Sequence, residues 1–172
     1  MTKIKFVSTS AAVMLITCAS FVSANDSSAQ DEQAGIEAFD RGDLVGAMTF
    51  FERAAEAGSA LAQTRLAWIL DGANEDPRAV AMYRAAAEQG YAPGMHGLGE
   101  MYAKGEGVDK DVAQAVAWFT KAADAGHEKS LRLLIRAYED GGLGLAANQD
   151  KAKVYRDRLA NVADEADTGD DQ

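Results

Sequence analysis

The chain has 172 residues, the length of one domain or a short repeat array, and 48% of them are hydrophobic, which is enough to form a core. Its net charge of −10 argues against a nucleic-acid-binding protein, since such proteins contact phosphates through Lys and Arg. The same charge disfavours docking on anionic lipid. Frequent alanine and only two prolines favour helices throughout.

The first 24 residues have the pattern of a secretory signal peptide. Lys3 and Lys5 precede an uncharged, mostly apolar stretch, and small residues lead to a predicted cleavage site between Ala24 and Asn25. An uncleaved membrane anchor is the alternative, but Ser and Thr dilute this stretch. We therefore predict export to the bacterial periplasm or the cell exterior, with no stable membrane insertion once the signal is removed.

Cys18, the only cysteine, leaves a second fate open. It follows Leu15-Ile16-Thr17 and could carry a lipid, although Thr is a poor match to the residue before a lipoprotein cysteine. Cleavage after Ala24 would remove Cys18, so the exported chain would have neither a disulfide nor a reactive thiol. Its fold would then depend on packing alone.

Three helices with the same apolar stripe are predicted along the chain. Each has a small, an aromatic and a small residue at spacing i, i+4, i+7, which places them on one helical face. Each helix then runs into Ala-Ala, two further residues and a glycine, and that glycine is suited to a left-handed C-cap. The three triplets are Ala47, Phe51 and Ala54; Ala79, Tyr83 and Ala86; and Ala115, Phe119 and Ala122.

Another helix is predicted before each of the last two triplets and once more after them. It carries a Leu, a Leu or Tyr four residues later, and a small residue four residues earlier. Gly105 and Gly107 break the chain after the middle one. The pairs are Leu66 with Leu70, Leu98 with Tyr102, and Leu134 with Tyr138, and the small residues are Ala62, Gly94 and Ser130.

These residues resemble the Sel1-like repeat (SLR), most completely in the copy at 91–126, which also has Asp111 and the Trp118–Phe119 pair. The copy at 59–90 is shorter and lacks the Gly-x-Gly turn. The copy at 31–58 is more similar to a tetratricopeptide repeat, and the copy at 127–163 is degenerate.

The resemblance implies an all-α fold, an α/α right-handed superhelical solenoid of about four helix pairs, because one pair cannot bury its apolar stripe alone. The repeat domain would span 31–163. A linker over 25–30 would precede it, and the acidic residues 164–172 would form a disordered tail.

A search for catalytic or metal-binding motifs finds little. The chain has no Gly-x-Ser-x-Gly, no Ser-x-x-Lys and no phosphate-binding glycine loop. His127–Glu128 begins like a zinc-protease motif, but position 131 is Leu. His96 and Glu100 are four residues apart and could share a metal, yet no third ligand accompanies them. We therefore predict no enzyme activity, no cofactor and no metal.

A binding face is predicted on the first helix of each pair, opposite the buried Leu. A Trp beside Arg and Glu is a mixture typical of interface hot spots, and two arginines could pair with carboxylates, including a peptide C-terminus. Alternatively, each Arg balances a nearby acid and the Trp packs between repeats. The candidate residues are Thr64, Trp68, His96, Glu100, Arg132 and Arg136.

The resemblance implies an adaptor or scaffold, of a regulatory kind, that binds a protein or peptide partner in the cell envelope. An alternative of another class is a cell-wall or β-lactam-binding, hydrolase-like SLR protein. Such proteins use disulfides between helix pairs, which this chain cannot form once Cys18 is removed. A third alternative is a structural subunit or homo-oligomer.

Overall fold

The computed structural model describes residues 27–167, with side chains up to residue 164. The predicted signal peptide, its cleavage site, Cys18 and residues 168–172 of the predicted tail lie outside that range. Residues 27–167 form eight helices and no strand, which confirms the all-α class predicted from the sequence. None of these helices combines the length and the apolar character that crossing a membrane requires.

The chain divides into two compact units, and the first ends at Ser59. It contains helix α1 over 27–40 and helix α2 over Leu44–Glu56. Asp43 caps α2, because its carboxylate accepts a hydrogen bond of 2.9 Å from the Gly46 amide. Phe51 is fully buried in this unit, and its ring lies where a Cβ on Gly35 would be only 2.6 Å away.

Helix α1 begins earlier than the sequence analysis expected, since residues 27–30 of the predicted linker are already helical. Two side-chain contacts join the first half of α1 to α2 and to Ser59, which follows α2. Arg53 pairs with Asp31, and the hydrogen bond from Arg53 lowers the pKa of that carboxyl. The Ser59 hydroxyl donates to Glu32 at 2.5 Å.

The second unit begins at Ala60 and holds three further helix pairs. Within each pair the two helices pack along each other; in addition α4 packs on α5, α6 on α7, and α3 on α5. The last helix continues through Asp167, so residues 164–167 of the predicted tail are helical. The pairs are α3 (Ala60–Gly72) with α4 (Asp76–Glu88), α5 (Ala92–Lys104) with α6 (Val112–Asp124), and α7 (Glu128–Asp140) with α8 (Gln149–Asp167).

All three small–aromatic–small triplets are buried, as the spacing predicts. Tyr83, at 4% exposed, is the most accessible of the nine residues. The small residues before the repeat Leu, which are Ala62, Gly94 and Ser130, are buried as well. The core therefore consists of large rings set among alanines and glycines.

The rings of α4 and α6 both depend on glycines of α5. A Cβ on Gly97 would overlap the Tyr83 ring, and a Cβ on Gly99 would lie 2.7 Å from Phe119. Real Cβ atoms do not approach so closely, so a side chain at either position would push the helices apart. The sequence His-Gly-Leu-Gly thus lets α5 pack between two aromatic rings while Leu98 is fully buried.

The glycines at the ends of α2, α4 and α6 form the predicted left-handed caps. Gly58, Gly90 and Gly126 have φ of +96°, +84° and +79°. In each case the amide of the residue after the glycine returns to a carbonyl of the last helical turn, for example Tyr91 N–H to Ala86 O at 3.1 Å. This is the Schellman arrangement, and it turns the chain directly into the next helix.

The packing predicts unequal effects for the two adjacent aromatic residues of α6. Phe119 is 1% exposed, whereas Trp118 is only half-buried. Phe119→Ala should lower the free energy of unfolding by about 3–5 kcal/mol because it leaves a cavity beside Gly99. Trp118→Ala serves as the control and should cost clearly less in urea denaturation monitored by circular dichroism. Equal losses would contradict this description of the core.

Candidate functional site

The six residues singled out from the sequence all lie on the first helices of the second unit. Thr64 and Trp68 are on α3, His96 and Glu100 on α5, and Arg132 and Arg136 on α7. Trp68 is 57% exposed, which favours a surface role over packing between repeats. Thr64 is half-buried, and its hydroxyl donates to the Ala60 carbonyl at 2.9 Å, so its polar group is already engaged within α3.

Helix α5 lies between α3 and α7: it packs on α3, and His96 of α5 contacts Ser130 of α7. Charged groups of all three helices act on Glu100. Partial burial raises the pKa of the Glu100 carboxyl. Lys104 on α5 and Lys129 on α7 oppose that rise, while Asp71 on α3 reinforces it. Since Trp68 and Asp71 are three residues apart on one helix, they are neighbours on its surface. We call Trp68, Asp71, Glu100 and Lys129 the first-helix face.

His96 belongs to the contact between α5 and α7 more than to the open surface. Its side chain is only 13% exposed. Its ring centroid lies 5.3 Å from Phe119 and 4.7 Å from His127, the residue that precedes α7. Its Nδ1 lies 2.8 Å from the hydroxyl of Ser130, whose second neighbour at 3.0 Å is Nδ1 of His127.

The Ser130 hydroxyl lies within hydrogen-bond distance of both imidazoles. It has one proton to donate and two lone pairs, so it donates to at most one Nδ1 and accepts a hydrogen bond from the other, or accepts from both. Burial lowers the pKa of both His96 and His127 to about 4. The positive charge of Lys129 adds to that effect on each, and Glu128 opposes it at His127. Both rings are therefore neutral near pH 7.

A serine, a histidine and a glutamate lie in a row at Ser130, His96 and Glu100, as in a catalytic triad. Their geometry, however, is not that of a triad. Ser130 is fully buried between the two imidazoles, so its oxygen has no access to a substrate. The distance from His96 Nε2 to the Glu100 carboxylate is 3.7 Å, which is longer than a hydrogen bond. Over residues 27–164, no group of three His, Cys, Asp or Glu is placed to hold a metal ion. The cluster stabilises the α5–α7 contact.

Arg132 and Arg136 line the same pocket, of about 500 Å³, along α7 and the turn after it. Its apolar part consists of Leu133, Ala137 and Leu143. Arg132 is exposed, and its guanidinium lies 3.1 Å from the Glu128 carboxylate. This ion pair agrees with the alternative that an Arg on this face balances a nearby acid. We call this the α7 pocket, and its lining is Lys129, Arg132, Leu133, Arg136, Ala137, Asp140, Gly142 and Leu143.

Sequence reasoning found the two arginines of this pocket and missed the rest. The signal for Lys129 was present, because Lys129, Arg132 and Arg136 follow the i, i+3, i+7 spacing of one helical face. Leu143 gave no signal, since its position depends on how the chain turns after α7. Nor did the sequence indicate that His127 and Ser130 would meet His96, which is a long-range contact.

The repeated helix pairs, the buried triplets and the glycine caps define an all-α repeat solenoid. Comparison with known proteins gives the family. Residues 34–59, 60–91 and 92–127 match the model of the Sel1 repeat, and together they make up more than half of the chain. The chain belongs to the Sel1 repeat family. The first matched segment covers most of the copy at 31–58, whose sequence is more similar to a tetratricopeptide repeat.

Relatives come from plants, animals and bacteria. Protein sel-1 homolog 2 of Mus musculus is 35% identical over 137 residues, which is 75% of this chain and 20% of that protein. The ERAD-associated E3 ubiquitin-protein ligase component HRD3A of Arabidopsis thaliana is 28% identical over 138 residues, 71% of this chain and 20% of that protein. This chain therefore spans about one fifth of the length of these two relatives.

A solved structure supports the same fold. The crystal structure of a Sel1 repeat protein from Oxalobacter formigenes aligns with a TM-score of 0.69 and 26% sequence identity. The alignment covers 79% of this chain and 58% of that one.

The histidine pair predicts an acid-sensitive fold. The folded-state pKa of about 4 lies below the ordinary value of 6.5, so unfolding takes up protons between these values. The free energy of unfolding that depends on the two imidazoles being neutral is fully present above pH 6.5 and is lost as the pH falls toward 4. From pH 7 to pH 4.5 the wild type should lose on the order of 2 kcal/mol more than the double variant His96→Gln/His127→Asn.

The measurement is urea denaturation of both proteins at a series of pH values. The variant keeps polar groups near Ser130 but does not titrate, and the carboxylates common to both proteins cancel in the comparison. Parallel pH profiles would show that the imidazoles are not held neutral by the fold.

Proposed function

We propose that this Sel1 repeat protein is an exported adaptor or scaffold that binds a protein or peptide partner through the first helices of its second unit. The observation that carries the proposal is an exposed indole, that of Trp68, on a face shared by α3, α5 and α7. Tryptophan is enriched among the residues that dominate binding energy at protein interfaces.

The same surface carries acidic side chains in one part and basic side chains in another. Asp71 and Glu100 lie toward α3 and α5, whereas Lys129, Arg132 and Arg136 lie on α7. A partner that crosses the three helices would therefore meet an aromatic anchor, an acidic part and a basic part in sequence. Such a pattern gives orientation and specificity to an interface. It supports binding over catalysis, since the hydroxyl of Ser130, which contacts both His96 and His127, is fully buried.

The envelope location is part of the proposal and rests on the sequence alone. Lys3, Lys5, the apolar stretch and the small residues before Asn25 support export through a cleaved signal. In that compartment the absence of cysteine from the exported part means that the fold would not depend on its redox state.

Because the Trp68 indole is exposed, we expect its removal to reduce capture of the partner without unfolding the protein. Cross-linking pull-down from the native envelope fraction should recover the same protein with the wild type and with Val154→Ala, a control that removes an apolar side chain 52% exposed on α8. Trp68→Ala should reduce that capture about tenfold or more, because truncation of a hot-spot Trp costs about 2 kcal/mol or more. The melting temperature should change little in both variants.

Equal capture by all three proteins would remove the first-helix face from the proposal. Covalent labelling of the purified chain by a fluorescent penicillin would instead favour the β-lactam-binding alternative. A partner that proves to be a second copy of the chain, detected as a dimer by light scattering, would favour a structural subunit.

Export predicts a defined N-terminus. When the full chain is expressed in a bacterium, mass spectrometry of the periplasmic or secreted protein should show that it begins at Asn25. A variant that lacks residues 2–24 should stay in the cytoplasm. Cys18→Ser is the control for lipidation: it should leave processing unchanged if the signal is cleaved after Ala24. Loss of processing in Cys18→Ser would identify a lipoprotein.

A further inference from the structure

The α7 pocket concentrates positive charge in a strongly acidic chain. Lys129, Arg132 and Arg136 lie on its rim, and Asp140 is the one acidic residue of its lining. Arg132 has an exposed partner in Glu128, and such exposed pairs contribute little. Lys129 and Arg136 form no ion pair with any carboxylate of residues 27–164. Three cations are therefore available to an incoming anion.

The spacing of these cations sets the size of the ligand. From Lys129 to Arg136 the helix rises about 10 Å, at about 1.5 Å per residue. A single carboxylate engages only one or two of three cations spread over this length. Two carboxylates several ångströms apart would engage all of them, and neighbouring acidic residues of a peptide supply that separation.

The floor of the pocket selects for an apolar group between those charges. Leu133, Ala137 and Leu143 form it, and Leu133 and Leu143 also pack on the core formed by Phe119 and Leu134. Leu143 has φ +55°, a left-handed conformation that is strained for a bulky residue and persists only where packing fixes it. The apolar floor of the pocket is thus held in place by the core beneath it.

We propose that the α7 pocket binds an acidic segment of the partner protein in which an apolar side chain stands between two carboxylates. This rests on the proposed function and deepens it by naming what is recognised. The apolar side chain contacts Leu133 and Leu143, and the carboxylates pair with the rim cations. Asp140, at the opposite end from Lys129, disfavours a further carboxylate at that end of the pocket.

Synthetic peptides test the proposal without knowledge of the partner. The probe is a short peptide containing Glu-Leu-Glu, acetylated and amidated, with a neutral dye, and binding is followed by fluorescence anisotropy at low salt. One matched peptide has Gln in place of both Glu, another has Ser in place of Leu, and a third keeps the sequence but has a free C-terminus. The first two should bind about tenfold more weakly or not at all, and the third separates side-chain from terminal carboxylate recognition.

Variants of the protein locate the binding. Arg132→Ala/Arg136→Ala should weaken binding of the probe about tenfold, whereas Lys110→Ala/Lys153→Ala removes the same charge at exposed positions outside the pocket and should not. Leu143→Asn removes one of the two leucines of the apolar floor, and Asn tolerates the left-handed backbone. It should abolish the preference for Leu over Ser in the peptide.

The proposal is overturned if the probe binds no better than its Gln counterpart, if both double variants weaken it equally, or if only the free C-terminus confers binding. Its failure can be told from failure of the proposed function. A partner whose capture depends on Trp68 but is unchanged by Arg132→Ala/Arg136→Ala would leave the adaptor role intact and remove only the acidic segment.

Discussion

The close approach of helices through small residues is the constraint on which the rest of this structure depends. Tyr83 and Phe119 fit against α5 only because positions 97 and 99 are glycines, and Phe51 fits against α1 because position 35 is glycine. Close helix packing is thereby reached with few large side chains. A core without disulfides in the described part must obtain its stability from this fit.

The same packing decides which polar residues are buried and which remain on the surface. Where α5 meets α7, Ser130 takes the place that Gly94 has one repeat earlier, and its hydroxyl joins two imidazoles inside the contact. On the same helices, Trp68, Glu100 and the α7 cations stay accessible. One set of helices therefore provides both a buried polar contact and an exposed surface with an indole and charges of both signs.

The helix pair α7–α8 shows how a degenerate repeat keeps the fold while changing the surface. Leu134, Ser130 and Ala152 are buried in the positions expected of a repeat. The turn that follows α7 is different, and it brings Leu143 to the edge of an apolar pocket flanked by cations. The fold tolerates loss of the family pattern in this copy, because stability depends mainly on the buried positions of the repeat.

The sequence alone determined the helices, their apolar stripes, the glycine caps and the family resemblance, because each of these depends on residues within one or two helical turns. It also placed Arg132 and Arg136 on an outward face. Only the tertiary structure decided that His96 is enclosed by His127 and Ser130, and that Leu143 completes the α7 pocket. Those contacts join residues of different elements, and their distances depend on how closely the helices pack, which the local pattern does not specify.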